Sequence, residues 1–143
     1  MPAQIRTFAF AASLTAIMGV ATLIPASSQQ PAPATKVTTV MKEVLAEFPG
    51  REVIVITLDI SPGAASPPHR HPGHHVFGYV LEGSYKIKVD QGPETVLTKG
   101  QTFHEAPGQL HAVSANGSQT EPAKVLAFIV AESGKPITVP ENR

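Results

Sequence analysis

The 143-residue chain balances 11 Lys+Arg against 11 Asp+Glu, is 42% hydrophobic and 15% charged, and holds six histidines but no cysteine. This is the composition of a folded globular chain; its neutrality and scattered basic residues exclude nucleic-acid binding as a main task. The lack of cysteine excludes disulfides, iron–sulfur clusters and thiolate zinc sites, so any metal site must use His and carboxylate.

Arg6 precedes an apolar or small run over residues 8–24, and Pro25-Ala26-Ser27-Ser28 ends in small residues. The pattern predicts a secretory signal peptide over residues 1–28, cut after Ser28 or alternatively after Ala26. An uncleaved membrane anchor is the competing reading, but Ser13, Thr15, Gly19 and Thr22 interrupt the run, and no stable anchor is expected. With no Arg-Arg pair ahead of the run, export unfolded through the general secretory route is expected, placing the protein in the periplasm or outside the cell. Residues 29–36, rich in Pro, Ala and Gln, read as a flexible lead-in, and residues 37–143 as one domain.

Within the domain, residues 40–48 are the only stretch with any helical periodicity. Residues 53–60 and 124–130 are β-branched, nearly continuous apolar runs that predict strands buried on both faces. Between them come residues 76–81, 85–89, 95–97, 102–103 and 111–114, punctuated by Gly and Pro turns. Short strands at this spacing predict an all-β sandwich or barrel of two antiparallel sheets.

His69 and His71 stand two apart after Pro67-Pro68, and in a strand both project from one face, converging on one point while Arg70 points to solvent. A bare pair of this kind fits a polar edge strand with two solvated histidines better than a metal site. His111 alters the balance, because it lies in a later strand that sheet pairing can bring to the same point. Three imidazoles suit a divalent transition metal, Zn, Mn, Fe, Ni or Cu, and leave positions open.

These residues resemble the cupin superfamily, and within it small quercetin-dioxygenase-like members. Gly63, His69, His71 and Gly83 match its first motif, Gly-x5-His-x-His-x3,4-Glu-x6-Gly; Gly100, Gly108 and His111 match its second, Gly-x5-Pro-x-Gly-x2-His-x3-Asn. The resemblance implies a jelly-roll-like single-domain β-barrel with a metal in its mouth on His69, His71 and His111. It also implies a homodimer, for which residues 36–48 could be an exchanged strand. Three departures stand out. The Pro position holds Ala106, the Asn position holds Ala115 with Asn116 one later, and the Glu slot falls on His75 or Val76 by the two allowed spacings.

The missing carboxylate leaves four ways to complete the metal shell: His75, His74, Glu105 or water. His75 ranks ahead of His74 as a fourth imidazole, and Glu105 is the candidate ligand or general base, with His104 then facing away. Gly78 faces inward and leaves room for a ligand. No Gly-x-Ser-x-Gly elbow, phosphate loop or thiol nucleophile occurs, and the resemblance implies a metal-dependent, oxygenase-like activity on a small anionic or enolic substrate. A non-catalytic metal- or ligand-binding module is the alternative.

Overall fold

A computed structural model of the chain describes residues 34–141. The expected signal peptide and most of the lead-in lie outside the described residues. Eleven strands follow one another: β1 (Thr35–Val44), β2 (Arg51–Ile60), β3 (Ala65–Ser66), β4 (His69–Arg70), β5 (His75–Glu82), β6 (Ser84–Val89), β7 (Thr95–Thr98), β8 (Thr102–Glu105), β9 (Leu110–Asn116), β10 (Ala123–Glu132) and β11 (Val139–Pro140). They form two antiparallel sheets, one in the order β1-β2-β10-β5-β8 and the other in the order β11-β4-β9-β6-β7, with β3 also paired to β9. The predicted all-β class and two-sheet architecture are what is found.

Residues 40–48 are not helical. β1 runs through Val44 in an antiparallel ladder with β2, with a bulge at Val40 between Thr39 and Met41. Its Thr- and Val-rich sequence suits a pleated strand, and a full ladder of backbone hydrogen bonds outweighs a short stretch of weak helical period.

The two long apolar runs have different fates. β2 is central, flanked by β1 and β10, and its Val53 and Ile54 are both buried. β10 instead alternates: Val125, Ala127, Ile129 and Ala131 are buried inward, whereas Phe128 on the opposite face is 40% exposed. The expectation of burial on both faces fails for β10, whose outer face at Phe128 is open to solvent.

Inward-facing residues of the two sheets make two adjoining clusters, one around Val80, Tyr85 and Val125 and one around Ile54, Val76 and Ile129. Phe103 packs against both. It lies directly opposite Gly78 in the β5–β8 ladder, and a Cβ built on Gly78 would sit inside its ring. The space left by Gly78 is therefore filled by Phe103, an aromatic ring covering a strand glycine from the neighbouring strand, and no ligand enters it. Gly78→Ala should push that ring off its seat and destabilise the fold by about 1–3 kcal/mol, measured as a lowered midpoint in urea unfolding.

Candidate metal centre

Two local pairings assemble the site. β4 and β9 place His69 directly opposite His111, and His71 follows two residues after His69. One nitrogen from each of the three rings lies within 4.8 Å of the others. From the other sheet, β5 and β8 pair Val76 with Glu105, and Glu105 is 1% exposed. Its Oε1 is 3.1 Å from Nδ1 of His111 and its Oε2 is 4.0 Å from Nε2 of His71.

Backbone carbonyls orient two of the rings. Nδ1–H of His69 donates to the Pro67 carbonyl at 2.8 Å, and Nδ1–H of His71 donates to the Ile137 carbonyl at 2.6 Å. A carbonyl only accepts, so in both rings Nε2 keeps its lone pair for a ligand role. Burial holds both imidazoles below their ordinary pKa, with those carbonyl bonds opposing the shift, and so favours the neutral, ligating form. Tyr85, with its hydroxyl 2.7 Å from Ser114 Oγ and 3.4 Å from His111 Nε2, backs the third ring. Burial raises the Tyr85 pKa, keeping the phenol protonated.

Two buried polar atoms have no hydrogen-bond partner among the described residues: Glu105 Oε2 and His111 Nδ1. The latter is close to Glu105 Oε1 but not in hydrogen-bond geometry. Buried polar atoms without partners are costly, and here they belong to a carboxylate and an imidazole beside two further imidazoles. A donor set of three nitrogens and a carboxylate oxygen fits a divalent transition metal.

The remaining histidines lie elsewhere. His74 is wholly buried with both nitrogens engaged: Nε2–H donates to the Pro136 carbonyl at 2.9 Å, and Nδ1 accepts from the Glu132 amide at 3.0 Å. His75 is on the outer face of β5, where its ring stacks on His104 at 5.3 Å and the two share a hydrogen bond of 3.1 Å. It is not in the group formed by His69, His71 and His111, because alternation along β5 turns Val76 inward and His75 out.

Arg70 does not point freely to solvent. It makes a two-pronged ion pair with Glu141, at 2.7 and 3.0 Å, and donates to the Gly108 carbonyl at 2.8 Å. Their mutual hydrogen bonds, reinforced by opposite charge, raise the Arg70 pKa and lower that of Glu141. The clasp holds the C-terminal segment, whose Ile137 carbonyl orients His71, against the turn that leads to His111. Sequence reasoning missed both the clasp and β11, since a two-residue strand at a chain end has no periodicity to detect.

A cavity of about 410 Å³ opens beside the cluster, lined by His69, His71, Glu105 and His111 at one end and by apolar residues from both sheets.

Comparison with known proteins came to the same region. The cupin domain family matches residues 56–129. The chain is 30% identical over 92 residues to the rhicadhesin receptor of Pisum sativum, covering 62% of this chain and 42% of that protein. It is 32% identical over 88 residues to germin-like protein subfamily 2 member 2 of Arabidopsis thaliana, covering 57% and 39%. The chain thus spans less than half the length of these curated relatives. Among solved structures, a recombinant oxalate oxidase in complex with glycolate superposes with a TM-score of 0.55 at 27% identity, covering 74% of this chain and 54% of that one. A double-stranded β-helix protein from Klebsiella pneumoniae gives 0.56 at 19%, covering 84% and 90%, a likeness of fold.

If the three rings are the ligands, His71→Ala and His111→Ala should each abolish retention of one divalent ion per chain, whereas His75→Ala should leave it unchanged; metal analysis after dialysis decides. The metal-free protein should also lose stability in acid. His69 and His71 have folded pKa values below the ordinary 6.5, so the unfolded chain binds more protons below that pH, and stability falls until the folded values are passed. Melting temperature followed between pH 8 and pH 4 reads this directly.

Proposed function

The chain belongs to the cupin family, and from that premise we propose that it is an exported, metal-dependent enzyme of oxygenase type. It acts on a small anionic or enolic substrate through a divalent transition metal held by His69, His71 and His111. The observation that carries this reading is the buried Oε2 of Glu105, without a hydrogen-bond partner among the described residues and 4.0 Å from His71 Nε2, beside the cluster of three imidazoles.

When bound, such an ion supplies Lewis acidity, lowering the pKa of an oxygen it holds. The protein's own part falls to Glu105. It is the sole carboxylate among the described residues lining the cavity, so it is the group placed to take a proton from a hydroxyl or enol bound there, or to complete the metal's shell. His71 and His69, fixed by their carbonyl partners, hold the ligand end rigid, and Ile56, Leu58 and Ile129 keep water from the opposite wall. Similarity to an oxidase that binds glycolate supports both an anionic ligand and an oxidative reaction.

Export rests on the signal-like residues 1–28 and places metal loading outside the cytoplasm, where availability rather than affinity alone selects the ion. A homodimer is also part of this reading. β1 forms a sheet edge, and its Val37, Val40, Met41 and Val44 are all strongly exposed.

The second reading, a binding module without turnover, is favoured by Val76 at the position where the family motif has its Glu. Oxygen uptake by metal-loaded protein, tested against flavonols, diketones and hydroxy acids, separates the two. Under the enzyme reading one class is consumed, and Glu105→Gln lowers its turnover by about 100-fold or more while metal is retained. Binding without any oxygen uptake or product would leave the module.

A further inference from the structure

Resting on the proposed metal centre, we infer that the cavity selects a singly charged chelating ligand with an apolar body, such as an enolate on an aromatic or hydrocarbon frame, and discriminates against small dianionic acids. The distribution of charge around the cavity carries this inference.

All its ionisable side chains apart from Tyr85 are gathered at one end, on His69, His71, His111 and Glu105. Beyond them the wall is built from Ile56, Leu58, Val125, Ala127, Ile129 and Phe103. The other polar side chains are the uncharged hydroxyls of Thr35, Thr39, Ser66, Thr138 and, behind His111, Ser114 and Tyr85. No lysine or arginine lines it among the described residues. Its volume of about 410 Å³ lies in the range of pockets that enclose ligands of drug size, so a two-carbon acid would leave most of the apolar wall in contact with water.

Charge counting points the same way. For a ligand that enters already ionised, so that Glu105 keeps its charge, three neutral imidazoles and one carboxylate around a divalent ion leave one positive charge. A monoanion neutralises it. A dianion leaves one uncompensated negative charge against an apolar wall that offers no cation, and an unpaired charge near low-dielectric surface is disfavoured. The apolar body of an enolate, by contrast, removes hydrocarbon surface from water on both ligand and wall.

The test uses the full chain loaded with Zn(II), which is redox-inert, so that binding is read without turnover. Isothermal titration compares benzoylacetone, a β-diketone that binds as a monoanion, with oxalate, and with 4-phenylbutan-2-one, which has a similar body and one carbonyl fewer. Benzoylacetone should bind at least tenfold tighter than either. Thr138→Lys adds a cation at an exposed cavity-lining position outside β1; it should raise oxalate affinity and narrow the ratio. Oxalate binding as tightly as benzoylacetone, or 4-phenylbutan-2-one matching it, overturns the inference while leaving the metal centre standing. Retention of zinc with no binding of any of the three overturns it as well. Failure of the wild-type chain to hold zinc removes the proposed function itself, and the inference with it.

Discussion

The centre of this structure is a carboxylate almost wholly withdrawn from solvent. Glu105 is 1% exposed, and an ionised carboxylate in such a place is strongly disfavoured unless a charge or a full set of hydrogen bonds compensates it. Nearby, burial drives His69 and His71 toward the neutral state, and their Nε2 lone pairs add electron density to the same region. Three imidazole nitrogens converging beside that carboxylate in a largely apolar barrel make electrostatic sense around a cation. The rest of the fold can be understood as the means of holding those donors there.

Each sheet contributes one side. The β4–β9 pairing brings His69 and His111 face to face, and the β5–β8 pairing sets Glu105 beside Val76. The outer layer then removes rotational freedom: the Pro67 and Ile137 carbonyls fix two rings, and the Arg70–Glu141 pair fastens the segment that carries Ile137. A half-exposed ion pair of this kind adds little to overall stability, but its two-pronged geometry is specific. It locates the C-terminal segment rather than strengthening the barrel.

What the sequence made legible follows from the range of the interactions involved. The strand pattern is local, and it gave the two-sheet architecture. His69 and His71 are readable from their two-residue spacing, and His111 from a motif that fixes its distance from a turn. Glu105 was only one of several candidates, because its position depends on cross-strand register, which spacing along the chain does not encode. His75 looked equivalent by motif counting, yet the pleat of β5 turns it outward onto His104. Arg70 looked solvent-facing because its partner, Glu141, lies 71 residues away. Asn116, one place beyond the motif position, still ties down the end of β2 through the Ile60 and Ser61 carbonyls, so a shift of one residue in that strand end preserves a structural role.

Glu105 stands directly opposite the motif slot at Val76, on the neighbouring strand of the sheet. Val76 and Glu105 are paired residues on the same inner face, so the side chain enters the same end of the cavity, displaced sideways by about one strand spacing of 4.8 Å. On β5, a carboxylate would be separated from His111 by a long stretch of chain. On β8, it is joined to His111 by the single turn 106–110. That turn is braced at every step: the Ala106 amide donates to Gln109 Oε1, the Gln109 side-chain amide and the Leu110 backbone amide donate to Asp90, and the Gly108 amide donates to the His71 carbonyl. Gly108 adopts φ +77°, a left-handed conformation that a side chain would strain. Glu105 and His111 therefore sit at the two ends of one braced turn that is itself hydrogen-bonded to His71, so their separation is set by local backbone geometry rather than by the packing of distant segments.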